Sequence, residues 1–156
     1  MFYAAALVVL TLDRLSKHYA RCCLQGHKPV PIIPGILHLT YSENYGAAFG
    51  MLQYRRWFFV AITMVIIVGI VLYTNRLTPG KSLERLGLGI LLGGAMGNLV
   101  DRILRGWVVD FIKLPYWPVF NVADTAIVVG VTMVAVLNYL DLRAQLLQEQ
   151  GSRANG

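Results

Sequence analysis

Two aspartates carry most of the chemical potential of this chain: Asp110, in the link running from Arg105 to Pro118, and Asp124, at the start of the last apolar segment. That link joins two neighbouring apolar segments at one end, so both carboxyl groups emerge on the same side. Two carboxylates close together in a poorly hydrated place cannot both ionise easily, because like charges raise one pKa. One proton is then shared: one carboxylate can take a proton from water while the other donates one. Such a pair is suited to hydrolysing an amide without a metal or a covalent intermediate. A plainer reading fits the same spacing, with Asp124 as a helix N-terminal charge beside an Asn121 cap and Asp110 as a solvated loop acid. Spacing alone leaves both readings open.

Other polar residues fall into a pattern around the pair. Asp13 and Lys17 stand four apart with the acid first, the favourable order for an intrahelical ion pair. Gly94, Asn98 and Arg102 recur at intervals of four and share a helical face, and Asn121 and Asp124 are three apart. Asn44 lies in a loop that emerges on the same side as the two aspartates. Asp101, beside Arg102, reads as half of an interface ion pair rather than as a third catalytic acid. No serine sits in a G-x-S-x-G turn with a His and acid set, and Cys22 and Cys23 are adjacent, without a base at hand. His18, His27 and His38 lack metal-ligand spacing, so neither a metal nor another cofactor is expected.

These residues are embedded in an apolar chain. Of 156 residues, 56% are hydrophobic and only 14% charged, which points to a bilayer as solvent. The net charge of +6 comes from basic residues at the ends of apolar runs, the pattern of membrane-interface anchors, which argues against nucleic-acid binding. Apolar segments span about residues 1–19, 57–74, 86–104 and 119–140, each close to the ~20 residues that cross a hydrocarbon core. The first lacks the basic start and cleavage site of a signal peptide and is read as a retained helix. Its short apolar part leaves two readings open: residues precede Met1, or the helix carries Asp13 at depth.

The expected fold class is therefore an all-α membrane protein of four transmembrane helices, a single unit over residues 1–156. The one sizeable extramembrane piece is about residues 22–56. Pro29, Pro31 and Pro34 forbid a helix at its start, and alternation over Ile36 to Ser42 predicts a strand, so a small sheet between the first and second helices is expected. In the third span Gly89, Gly93 and Gly97 form a small-residue face that lets another helix approach closely. The tail from Gln145 to Gly156 is polar and reads as mobile.

At these same positions the chain resembles the signal peptidase II family, the lipoprotein signal peptidases. The resemblance rests on Asp13-Arg14-Leu15-Ser16-Lys17, Asn44-Tyr45-Gly46-Ala47-Ala48-Phe49, the run Gly93 to Arg102, Gly106 to Phe111, and Phe120-Asn121-Val122-Ala123-Asp124. It implies a membrane aspartyl protease with Asp110 and Asp124 as the catalytic pair. It also implies that Asn44, Gly94, Asn98, Arg102 and Asn121 shape the substrate site, with Asp13 and Lys17 supporting it structurally. The implied partners are membrane lipids and lipid-modified prolipoproteins, cut before a diacylglyceryl-modified cysteine, with cyclic peptide antibiotics of the globomycin type as inhibitors. The implied location is the bacterial cytoplasmic membrane, with the site at the outer face and the termini cytoplasmic. A positive-inside count opposes that orientation, because only Arg76, Lys81, Arg85, Arg143 and Arg153 fall on the side of the termini. The stretch from Asp110 to Asp124 is shorter than in many relatives. A proton-coupled transporter, which also needs intramembrane acids, is the alternative from another class, and a non-catalytic assembly subunit is a third.

Overall fold

The computed structural model describes residues 1–46 and 51–154, the last four as helix backbone only. These residues form four helices and a three-stranded antiparallel sheet: α1 (Phe2–Cys23), β1 (Val30–Ile33), β2 (Leu37–Asn44), α2 (Arg56–Arg76), α3 (Ser82–Arg105), β3 (Val108–Lys113) and α4 (Val122–Ala154).

Helix α3 is the hub, packed chiefly against α4 and α1 and then against α2. Its glycines make this possible. A Cβ on Gly93 would stand 2.6 Å from the Ala6 carbonyl oxygen of α1, and one on Gly94 would stand 2.5 Å from the Ala123 carbonyl oxygen of α4. Gly89 likewise lies against the Phe2 carbonyl and Gly97 against the Asp13 carboxylate. The glycine face thus meets α1, while Gly94, one residue round, meets α4.

Among the described residues, three helices are long and apolar enough to cross a membrane: α2, with a mean hydropathy of 2.4, α3, and α4 over Val122–Gln150. On α2 the side chains of Trp57, Phe58, Val65 and Val68 are exposed, as lipid-facing residues would be. Helix α1 is as long as α2, but it carries Asp13, Arg14 and Lys17 midway, and Asp13 and Lys17 are wholly buried against α3.

The sheet departs from the sequence expectation. Its order is β1-β2-β3, and its third strand comes from the α3–α4 link rather than from the segment between α1 and α2. β3 was concealed because Val108, Val109, Phe111 and Ile112 form a short apolar run whose partner lies far away in sequence. Pro31 is accommodated because β1 is an edge strand. The register pairs Ser42 with Asp110 and Asn44 with Val108, which turns Asn44 and Asp110 to one face of the sheet. Gly106, at φ 91°, closes α3 with a left-handed cap and redirects the chain into β3.

Helix α4 also differs from expectation. It starts at Val122 rather than near residue 119, because Phe120 still pairs with Ile112 across the sheet. It then runs on through the polar tail to Ala154, where Ala144, Gln145, Leu146, Leu147, Gln148 and Glu149 are strong helix formers.

Candidate active site

Asp110 projects from β3 and is only 2% exposed, which removes the reading of a solvated loop acid. Its Oδ1 accepts a hydrogen bond from Asn121 Nδ2 at 2.6 Å and its Oδ2 one from Asn44 Nδ2 at 2.9 Å. Asn44 is fixed in turn, its Oδ1 accepting the Gly46 N–H at 3.0 Å.

Asp124, half-buried in the first turn of α4, accepts from Asn98 Nδ2 at 2.7 Å through Oδ1 and from the Asn121 N–H at 3.2 Å through Oδ2. Asn121 Oδ1 accepts the Asp124 N–H at 2.9 Å, so the two residues cap the helix reciprocally. The capping reading is therefore correct as far as it goes, and it coexists with a second role. Asn121 touches both carboxylates, one by its side chain and one by its backbone, and so ties Asp110 to Asp124. Burial first, and then the charge of Asp124, push the Asp110 carboxyl up to about 7 against the opposing hydrogen bonds of Asn44 and Asn121.

Arg102 lies on the same face of α3 as Gly94 and Asn98. Its guanidinium sits 4.9 Å over the Phe59 ring, and its Nη2 donates to the Gly46 carbonyl at 3.3 Å. The expected Asp101–Arg102 ion pair does not form. Successive helical residues point about 100° apart, and Asp101 turns the other way, where Arg14 (2.6 Å), Arg105 (2.7 Å) and Lys17 (3.1 Å) surround it. Of these partners only Arg105, four residues along the same helix, was within reach of a sequence argument.

Asp13 and Lys17 pair at 2.9 Å as their spacing predicts. Asp13 Oδ1 also accepts the Ala123 N–H at 3.0 Å, so an acid on α1 satisfies a free donor of the first turn of α4. Nothing in the sequence signals that contact between residues so far apart. Lys17 Nζ donates to Asn98 Oδ1 at 2.8 Å, which links the charge cluster to the side chain that holds Asp124.

A cleft of about 530 Å³ opens beside this set. Asn44, Gly46, Arg102 and Asp124 supply its polar wall, and Trp117, Phe120, Ile127 and Val128 supply much of its apolar one. Asp110 stands behind the cleft, linked to it through Asn44 and Asn121. The apolar wall is the part of the site that the sequence reading missed, because Ile127 and Val128 look like any lipid-facing helix residues. In the loop motif that starts at Asn44, residues 47–49 lie outside the described residues.

Comparison with known proteins agrees with this architecture. The family model described as "Signal peptidase (SPase) II" matches residues 5–140. The lipoprotein signal peptidase of Moorella thermoacetica is 47% identical over 130 residues, covering 83% of this chain and 87% of that one. Those of Brevibacillus brevis and Anoxybacillus flavithermus are 43% and 37% identical, covering 90% and 99% of this chain and 95% and 94% of theirs. A bacterial membrane enzyme solved by the in meso method at 2.3 Å resolution matches with a TM-score of 0.84 and 29% identity, covering 89% of this chain and 87% of that one. A second, at 1.9 Å resolution, has a TM-score of 0.79 and 30% identity, covering 86% and 89%.

Proposed function

The chain belongs to the signal peptidase II family of membrane aspartic proteases, and on that premise we propose that it removes signal peptides from prolipoproteins by means of an Asp110–Asp124 dyad. The single observation that carries this reading is Asn121, whose side chain and backbone tie the buried Asp110 carboxylate to the Asp124 carboxylate that lines the cleft. A water bound between them gives one proton to the ionised carboxylate and attacks the scissile carbonyl carbon. The protonated partner delivers its proton to the carbonyl oxygen, and collapse of the resulting diol returns a proton to the leaving amide nitrogen. Neither metal nor covalent intermediate enters these steps.

The remaining assignments belong to the same proposal. Arg102, with its planar fork, and Asn44 bind oxygen atoms of the substrate, and Asn121 orients the dyad. Asn98 and Gly94 set the distance between α3 and α4, with Asp13 and Lys17 behind them. The apolar wall at Ile127 and Val128 receives the diacylglyceryl chains of the cysteine that follows the cut. Cyclic peptide antibiotics of the globomycin type fill the same cleft. α1 is the fourth span, its charges sheltered by α3, so the whole chain is one membrane-embedded unit. It sits in the bacterial cytoplasmic membrane with the site at the outer face and the termini in the cytoplasm.

Purified protein given a lipid-modified prolipoprotein should cut it before the modified cysteine and leave the unmodified precursor intact. Equal cleavage of both would contradict the role given to the apolar wall. Activity should also fall as pH rises through about 7, where Asp110 loses the proton that the dyad shares. A rate that keeps climbing well above neutrality would remove the acid from the mechanism. Orientation has its own readout, because Cys22 and Cys23 are exposed free thiols at the site end of α1. A membrane-impermeant maleimide should label them from outside intact protoplasts, and labelling from the cytoplasmic side only would reverse the topology.

A further inference from the structure

We infer that Lys17 is a positioning residue that makes Asp124 the proton acceptor of the dyad, acting through the side-chain amide of Asn98. The inference rests on the dyad reading above and goes beyond it by assigning the two acids different roles.

Lys17 has no exposed surface and is held from three sides. Asp13 on its own helix lies at 2.9 Å, Asp101 on α3 at 3.1 Å, and Asn98 Oδ1 on α3 at 2.8 Å. Arg14 and Arg105 compensate Asp101 from its other side, and the Val109 N–H of β3 reaches it at 3.4 Å. From α4, Asn121 Nδ2 approaches the same Asn98 oxygen at 3.2 Å, but it is shared with Asp110 and the Val109 carbonyl, three acceptors for two hydrogens.

An ammonium group has donors and no acceptor, so it can be met only by the oxygen of the Asn98 amide. That fixes the amide orientation. The nitrogen must then face Asp124 Oδ1, at 2.7 Å, and donate to it. A carboxylate oxygen held by a dedicated N–H donor is favoured in its ionised form. Asp124 lines the cleft, where water has access, whereas Asp110 is buried behind it. The acceptor is thereby placed towards the water, and the shared proton is left on Asp110.

Lys17→Met alone would strand Asp13 in the interior, so the test uses Asp13→Asn with Lys17→Met, which removes one charge of each sign. The amide that replaces the Asp13 carboxylate still offers an oxygen to the Ala123 N–H, and Asp101 keeps Arg14 and Arg105. The folded double variant should lose roughly tenfold or more in kcat, the scale expected when a reacting group is misoriented. KM should stay close to wild type, and the pH–rate profile should move. Wild-type kcat with an unmoved profile would overturn the inference. Inactivity of Asp110→Asn and Asp124→Asn in the same assay keeps the dyad itself in place. Should the double variant fold poorly, wild-type protein with carboxyl-labelled aspartate in lipid nanodiscs supplies a second readout by NMR titration. Asp110 should hold its proton up to about 7, and loss of that proton in the ordinary carboxylate range would overturn the assignment.

Discussion

Asp110→Asn and Asp124→Asn should each abolish cleavage of a lipid-modified prolipoprotein, lowering kcat by roughly 10²- to 10⁴-fold, the range for loss of a positioned general acid or base. Both replacements keep the shape of the side chain but cannot take or give the proton. Asp110 accepts from Asn44 and Asn121, so an amide there sets one NH2 group against another, at a cost of about 1–3 kcal/mol unless a neighbour rotates. Rotation of Asn44 would relieve that conflict at the expense of the bond its oxygen accepts from the Gly46 N–H. Asp124→Asn meets the same conflict with Asn98 or the Asn121 N–H. The chain should therefore still fold, as measured by circular dichroism and thermal unfolding in detergent. Appreciable turnover by either folded variant would remove the dyad.

Gly94→Val should be comparably severe for a different reason. A Cβ at this position would lie 2.5 Å from the Ala123 carbonyl oxygen and 3.1 Å from the Ile127 nitrogen, both backbone atoms of α4 that cannot swing aside. The helices must separate at the level where Asn98 meets Asp124. A displacement near 1 Å at a reacting group can cost about 10²-fold in rate, and overpacking adds roughly 1–3 kcal/mol of destabilisation. Gly69→Ala on α2 is the matched control, since among the described residues nothing beyond its own stretch of helix lies within 4 Å of its Cβ position. It should leave cleavage unchanged. Unimpaired cleavage by Gly94→Val would mean that the α3–α4 spacing does not set the site.

The family membership decides between the classes that the sequence left standing. Intramembrane acids and a glycine-rich helix suit a transporter as well as a protease. In the structure, though, the two acids converge at one end of α3 and α4 beside a cleft, together with Asn44 from the sheet.

Hydropathy and periodicity were sufficient for the helices, because a long apolar run needs no partner to be recognised. The polar residues of the site were legible for the same reason: Asp13, Lys17, Asn98, Arg102 and Asp124 stand out where apolar side chains are expected. Their neighbours were not. Arg14 meets Asp101 across 87 positions and Asp13 meets the Ala123 N–H across 110, and no local spacing encodes such contacts. The same limit hid β3, whose partner strand lies on the far side of two helices. By itself the sequence determined which side chains could do chemistry and the end of the helices at which they gather. Tertiary packing decided that Asp110 is buried and Asp124 faces the cleft, since burial and the direction of a hydrogen bond belong to the contacts between elements and to no element alone.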